Sequence, residues 1–551
     1  MIKKSYCIIF LSLLWNYVSA NTNGRNEFDH VVLDPGKSFI EQLTKSNTIY
    51  EIPTDYDLRQ NIKAKCESKV FVKGQQVLYR DVNAILLVPD QGIWVPKGCL
   101  ILNSSMDRVL SDSCYIPSKT DSVFLVSSQP QEINYQISGI VTMPEGCVLK
   151  FSGGKLSNGI IRSVRTCIEA NPVKIFGENM SFAWYWDIQF AYPEWFGAKG
   201  DKTCDDGESI QRCLDAFKNV YLTNHKYYCF NPIKIPSQGC LRGRGMYKTT
   251  IIFTKEVDYM ICSPNNNIND VVIENINLSC ENDRMPKYGV LVHNATRTKI
   301  ESVWVASAEI GFALNSFYCS QIKNCTAHDC NIGFYLGLDG GSCTSVDYEN
   351  CYANKCTIGH LFRNCSYVTT KNTAADYCET AYDFIESCLT LISPGAECSK
   401  FFLKIVPHRE ASKIGNYAHN NIHIINGMSI YNEPNDEGVI FISTNTRAFE
   451  DRNRVVIDGF NIYFGKNAKD LKLLHKDGDT VLHLNNLTSF VVPDIEAINY
   501  YRDGKGYVQT SSTLRFWSDK TIGTSIFVKN LNKQVFWNGI NWVDSSGIII
   551  Q

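Results

Sequence analysis

The sequence has no surplus of either charge: 54 lysines and arginines stand against 56 aspartates and glutamates, a net charge of -2. That balance excludes the basic footprint of a nucleic-acid-binding protein and the acidic tail of a solvating segment. The ten histidines are scattered along the chain, so composition calls for no metal. Beyond the first twenty residues, no apolar run approaches the ~20 residues that a membrane span requires. Cysteine is missing after Cys398, although the chain holds 22, of which ten crowd between Cys319 and Cys398. A disulfide framework spread evenly over the chain is therefore excluded.

The N-terminus is of another kind. Lys3 and Lys4, the apolar run from Tyr6 to Trp15 and the small residues Val18-Ser19-Ala20 read as a secretory signal peptide over 1–20. Cys7 lies inside the apolar run and not at the cleavage point, which argues against a lipid anchor. The expectation is an exported chain starting near Asn21, in the periplasm, on the cell surface or secreted.

Between Lys287 and Ile385 the sequence repeats. Five segments share one signature: Tyr288-Gly289-Val290-Leu291-Val292, Ile310-Gly311-Phe312-Ala313-Leu314, Ile332-Gly333-Phe334-Tyr335-Leu336, Ile358-Gly359-His360-Leu361-Phe362 and Ala381-Tyr382-Asp383-Phe384-Ile385. They follow one another at steps of 22, 22, 26 and 23 residues. Short strands at a period in the low twenties mean a solenoid. A leucine-rich repeat needs a Leu-x-x-Leu-x-Leu frame, which is absent, so the fit is a parallel β-helix. On this frame Ser302, Asn324, Asn350 and Asn372 form one column, preceded by Glu301, Lys323, Glu349 and Lys371, whose charges alternate. Coils about 4.8 Å apart set these residues directly above one another. Cys319, Cys343, Cys365 and Cys388 read as a third column, with buried thiols stacked and unbridged, since free Cys packs as a small hydrophobe and bridges demand strict geometry.

Upstream, Trp195-Phe196-Gly197-Ala198-Lys199-Gly200-Asp201, then Asp205-Asp206 and Ile210-Gln211, lead into a helix with Ile210, Leu214 and Phe217 on one face. Asp205 and Glu208 have capping-box spacing, so the paired aspartates read as capping residues. This block resembles the N-terminal signature of the pectate-lyase-like β-helix superfamily, which includes polygalacturonases, pectate lyases and phage tailspikes. The resemblance implies an all-β chain: a right-handed single-stranded parallel β-helix over 191–505, behind a β-rich N-terminal module over 21–190. A small aromatic-rich β-module over 506–551 follows, with a hairpin turn at Asn538-Gly539. In the N-terminal module Gly153-Gly154 and Asn158-Gly159 read as tight turns between strands. The resemblance also implies a polysaccharide partner and, on its tailspike side, a homotrimer.

Cleavage of such a polymer needs either two carboxyls, about 5–5.5 Å or 6.5–9.5 Å apart for hydrolysis, or a base and a cation for elimination. The corner beside Cys330, Cys356 and Cys378 offers His328-Asp329, Asn354-Lys355 and Asp376-Tyr377 in three successive coils. His328, Asp329, Lys355, Asp376 and Tyr377 are the candidate catalytic residues, with Lys355 expected between two aspartates roughly 9–10 Å apart. The competing reading is a solvated polar edge. Asn-Thr-Asp, a paired Asp-Asp within the coils and Gly-His-Gly, all expected of polygalacturonases, are absent, as is the calcium-dependent pectate lyase pattern. No cofactor is called for, and calcium stays open. Two function classes result: a polysaccharide lyase or glycoside hydrolase, and a non-catalytic tailspike-like glycan-binding protein.

Overall fold

The computed structural model describes residues 29–34, 37–53, isolated strands between 69 and 126, 134–137, 139–152, 155–263, 267–281, 284–406, 420–430, 437–443, 453–463, 473–476, 480–488 and most of 500–550. The signal-peptide reading and the Gly153-Gly154 turn lie outside these residues. The chain divides into two compact units, 1–189 with 195–197, and 190–194 with 198–551.

In the first unit Thr48–Pro53 runs parallel to Asp29–Val32 and to Val148–Ser152. Gly159–Glu169 runs parallel to both Ile140–Thr142 and Met180–Trp186. Asn158-Gly159 is therefore no hairpin turn, as its sequence implied; it is a corner between parallel strands. Asn158 and Gly159 both have positive φ, and a Cβ on Gly159 would stand 2.6 Å from the Ile137 carbonyl oxygen. The core gathers around Phe176, with Phe151 at 5.7 Å and Phe182 at 4.7 Å between ring centroids.

The second unit begins with the helix Asp206–Phe217, whose Ile210, Leu214 and Phe217 are buried. The Asp205 carboxylate accepts from Gly207 N at 2.9 Å. Asp206 is fully buried and accepts from the amides of Lys199, Gly200 and Tyr228. Both aspartates are thus structural, as their motif implied.

From Asn219–Tyr221 to Tyr500–Arg502 the chain winds as a right-handed parallel β-helix. Each coil has three faces. Face A contains Ile310–Tyr318, Ile332–Leu336, Ile358–Arg363, Thr380–Ile385 and Phe401–Ile405, paired in that order. Face B contains Gln321–Lys323, Asp347–Glu349 and Cys365–Lys371; face C contains Thr326–His328, Tyr352–Asn354, Ala374–Asp376 and Gly395–Glu397.

Register puts like on like. Glu301, Lys323, Glu349 and Lys371 are successive partners on face B. Lys323 reaches Asp347 at 2.7 Å and Glu349 at 3.5 Å. Ser302, Asn324, Asn350 and Asn372 turn the chain from face B to face C with φ of 53°, 53°, 51° and 51°. Asparagine tolerates this left-handed conformation better than most residues, and Asn350 Nδ2 donates to Asn324 Oδ1 at 3.2 Å. The cysteine column needs correction. Cys343 and Cys365 are true partners, but Cys343 stacks on Phe317 below, and Ser366 is the partner of Cys388. Cys319 stands two places beyond Phe317, past the end of its strand, and Cys388 one place out of register with Cys365. The described cysteines are all free thiols.

Inside, Phe312, Phe334, His360 and Tyr382 form a continuous stack at 4.7, 5.1 and 5.0 Å with interplanar angles of 5°, 11° and 10°. The strand spacing of a parallel sheet falls within the range that aromatic pairs prefer. His360 takes the place of a third phenylalanine and is fully buried. Its Nε2–H donates to Ala374 O at 3.0 Å, and its Nδ1 accepts from the Tyr348 hydroxyl at 2.6 Å, which fixes a neutral imidazole. Burial pushes its pKa down to about 4.

The C-terminal strands Ser525–Val528, Lys533–Trp537 and Trp542–Asp544 pair antiparallel. Trp517 and Trp542 are 1 % exposed and pack with Leu514, Ile526, Val528 and Val535, so these tryptophans are core.

The buried imidazole sets a pH dependence. Unfolded, His360 takes a proton near 6.5; folded, only near 4. Between those values acid favours the unfolded chain. Wild type is expected to lose about 3 kcal/mol relative to His360→Phe as pH falls from 7 to 4, measured by urea denaturation. Equal pH slopes in the two proteins would contradict the neutral, buried imidazole.

Candidate functional site

The five expected residues lie at the end of face C and the corner that follows it. Asp329, Lys355 and Tyr377 occupy the corner, with φ of 53°, 54° and 55°, and all three are exposed. His328, Asn354, Asp376 and Glu397 form the adjoining strand column. Asp329 and Asp376 therefore do not share a column, and Lys355 is not stacked between them. The reason is local: the corner residue has left the strand and projects away from it.

What the structure brings together here is different. His328 Nδ1 lies 2.9 Å from Asp329 Oδ2. The Tyr352 hydroxyl donates to Asp376 Oδ2 at 2.9 Å and accepts from Asn354 Nδ2 at 2.8 Å. Glu397 N donates to Asp376 Oδ1 at 3.0 Å. Burial raises the pKa of Asp376 and Tyr352 lowers it; Glu397 adds a further upward push. Trp304 stands near His328, with ring centroids 6.0 Å apart.

A second concentration of polar groups lies on the outer side of face A. Its outward column runs Leu291, Ala313, Tyr335, Leu361, Asp383 and Lys404. Leu291 and Ala313 form an apolar cluster outside the main core, covered by Leu338 and flanked by Tyr335. Leu338 belongs to a one-turn helix, Leu338–Gly340, whose carbonyls accept from Asn315 Nδ2 at 2.8 Å and Asn364 Nδ2 at 3.1 Å.

Asp383 breaks the apolar run. It is 5 % exposed, and its Oδ1 has no hydrogen-bond partner. Burial pushes its pKa up to about 6, against the downward pull of the Phe384 amide and the Lys404 charge. Keeping it ionised in the fold costs about 3 kcal/mol at neutral pH. Glu386, three residues on, is 9 % exposed and is also pushed up by burial, with the Arg363 charge opposing. Arg363 has a buried Nε without a partner; burial raises the pKa of Tyr335, and Arg363 opposes that rise. Two carboxyls with raised pKa thus stand on this strand and just past its end, Asp383 within reach of the Lys404 charge and Glu386 within reach of the Arg363 charge. An unpaired buried polar group is expensive, and such groups concentrate where chemistry is done.

The sequence carried the signal for Asp383. It stands in the fifth repeat segment, at a place that the earlier repeats fill with Leu, Ala, Tyr and Leu. Two other motifs resolve as structural. Arg297-Thr298-Lys299 spells Arg-x-Lys, but Arg297 pairs with Asp270 at 2.7 Å and Lys299 with Glu274 at 2.9 Å. His419 and His423 have a spacing that metal ligands also use; His419 lies outside the described residues, and His423 pairs with Asp458 at 2.9 Å. Among the described residues no group of three or more metal-ligating side chains comes together.

No protein-family model matches the chain, and no curated protein matches it. Among solved structures, it is similar to an Acinetobacter phage tailspike, at 14% identity and a TM-score of 0.42, over 63% of this chain and 64% of that one. It is also similar to the catalytic unit of an α-1,3-glucanase from Streptomyces thermodiastaticus, at 12% identity and a TM-score of 0.41, over 58% and 62%. A third likeness is to a mannuronan C-5 epimerase A-module from Azotobacter vinelandii, at 15% identity and a TM-score of 0.38, over 57% and 97%. The chain spans less than two thirds of the length of the first two.

If Asp383 is held at a cost, an apolar residue there is stabilising. Folded Asp383 ionises near pH 6 and unfolded near 3.9, so the penalty is complete above both values and vanishes as pH falls through 6 to 4. Asp383→Leu is expected to raise the thermal midpoint at pH 8, and by much less at pH 4. A variant equally or less stable at pH 8 would contradict the unpaired buried carboxylate.

Proposed function

We propose that the protein is an exported polysaccharide-cleaving enzyme of the glycoside hydrolase type, with its reaction centre on the outer side of face A. The observation that carries this reading is Asp383: a carboxyl on the outer side of a β-helix, 5 % exposed, with one oxygen unpartnered and a pKa pushed up to about 6. A proton donor near neutral pH is what departure of a sugar oxygen requires. In this reading Asp383 protonates the leaving oxygen. Glu386 is the second carboxyl that such a reaction needs, either as base to a water molecule or as nucleophile. Burial raises the Glu386 pKa, and the Arg363 charge opposes that rise. Lys404, the next residue in the column, limits how far the Asp383 pKa rises.

The likeness to a glucanase, a tailspike and an epimerase accords with a polysaccharide partner, as does the resemblance of the Trp195–Asp201 block. Export rests on the N-terminal segment. Among the described residues no helix is long and apolar enough to cross a membrane. The mechanism calls for no metal.

The test is a panel of soluble polysaccharides, read by release of reducing ends and by ultraviolet absorbance of unsaturated products. Reducing ends without absorbance, lost about a hundredfold or more in Asp383→Asn, are the expected result. Activity of the wild type should fall as pH rises through about 6, because the donor must be protonated. In Lys404→Met that alkaline limb should move to higher pH, since a charge that lowers the pKa is gone. Unsaturated products would replace hydrolysis by elimination, with Tyr335 beside Arg363 as the base. Full activity in Asp383→Asn would remove the assignment.

A further inference from the structure

We propose that the outer side of face C is a separate binding strip for an uncharged sugar polymer, built from Tyr247, Trp304, His328, Tyr352, Asn354 and Asp376. The proposal rests on the carbohydrate reading for its ligand class, but not on catalysis at Asp383.

Rings come first. Trp304 lies in the outward column of face C, one coil before Thr326 and two before Tyr352. Tyr247, 71 % exposed, stands edge-on to the Trp304 ring at 5.6 Å and 66°. On its other side His328 lies tilted by only 32° at 6.0 Å. Aromatic side chains with an apolar face and a polar edge are the surface groups that bind ligands at low entropic cost. Their spacing follows the coil repeat, so the rings advance along the axis of the solenoid and suit a chain laid along it.

The polar groups are preset. Tyr352, Asn354 and Asp376 are locked to one another by hydrogen bonds of 2.8 and 2.9 Å. Asp376 is held further by the Glu397 amide. Side chains already fixed by their neighbours bind hydroxyl groups without paying ordering entropy on association. Residues that only solvate an edge have no reason to be fixed in this way.

Charge selects the occupant. Around Tyr352 and Asn354, Asp329, Asp376 and Glu397 put three carboxylates along the strip and corner against Lys355, while the exposed Arg244 and Lys248 stand beside Tyr247 at the other end. Nucleic acid, anionic membrane and uronic acid polymers are all disfavoured at the carboxylate end of the strip. A neutral polysaccharide keeps the ring contacts and the hydrogen bonds and escapes the repulsion.

The experiment is affinity electrophoresis of the full chain in gels containing dextran, mannan, xylan, alginate or polygalacturonate. At least one neutral polymer is expected to retard the wild type, and neither uronate. Trp304→Ala should weaken that retardation roughly tenfold or more, as loss of an anchoring aromatic does. Tyr352→Phe keeps the ring and removes the hydroxyl, so it tests the polar lock in a protein that need not repack. Tyr367→Ala, at a more exposed tyrosine outside the strip, should change nothing. Asp383→Asn should bind as the wild type does, which separates this strip from the face A centre. Retardation that survives both Trp304→Ala and Tyr352→Phe overturns the proposal, as does retardation by uronates alone or by none of the five polymers. Binding without any hydrolysis would leave the strip standing and remove the enzymatic reading.

Discussion

Stacking of parallel coils at about 4.8 Å means that every side chain meets the side chain one coil above it and one below it. A residue is therefore tolerated only if it suits its own column. Inside, this favours rings on rings, as in Phe312, Phe334, His360 and Tyr382, and thiols on thiols, as in Cys343 and Cys365. Outside, alternating charge is favourable, because like charges at one coil spacing repel; Glu301, Lys323, Glu349 and Lys371 follow that pattern on face B. At the corner between faces B and C it favours asparagine. Such ion pairs contribute little each, about 0–1 kcal/mol at exposed positions. Their role is to avoid a penalty repeated along the face.

His360 shows how strict the rule is. An imidazole fits the ring stack by shape but brings two polar nitrogens into a dry interior. Both are satisfied, one by the Tyr348 hydroxyl and one by the Ala374 carbonyl. Had either been left open, the cost of an unpaired buried group would have exceeded what stacking returns. Asp383 is the contrast. It stands between Leu361 and Lys404, and its Oδ1 has no partner. Other buried atoms also stand without a partner, Thr298 Oγ1, Arg363 Nε and Thr370 Oγ1 among them, but Asp383 adds a carboxyl whose pKa burial pushes up to about 6. Stability given up at one position in an otherwise satisfied column is the pattern expected of a functional residue.

The same rule explains what could be read in the sequence. Columns made of one residue type announce themselves, so the Asn and Glu/Lys columns were legible down to the residue, and with them the fold. The cysteine column was legible only in part, because Cys319 and Cys388 recur at nearly the right interval while standing two places and one place out of register. An interval alone does not fix register when coils vary in length. The expected stacking of Lys355 between Asp329 and Asp376 was misplaced for a similar reason. Asp329, Lys355 and Tyr377 are corner residues, whereas Asp376 is a strand residue, and sequence adjacency hid the difference. Asp383 was printed in the repeat itself, yet a search for like residues in a column passes over the one residue that breaks it. In a solenoid the informative position is the exception to a column.

Faces A and C also differ in the kind of order they impose. On face A the polar groups are sunk among apolar neighbours, Leu361 at 6 % and Ile385 at 7 % exposure, so their pKa values move and their charges are strong. Low dielectric magnifies each interaction there, which suits proton transfer but tolerates little variety in what docks. Face C keeps its rings and carboxylates at the surface, where single contacts are weak but repeat with the coil. Binding that accumulates along an axis needs many modest contacts, whereas bond cleavage needs a few strong ones. A β-helix can supply both from one period, because burial is set by the column and not by the coil. The two sets of residues are therefore not rivals for one role.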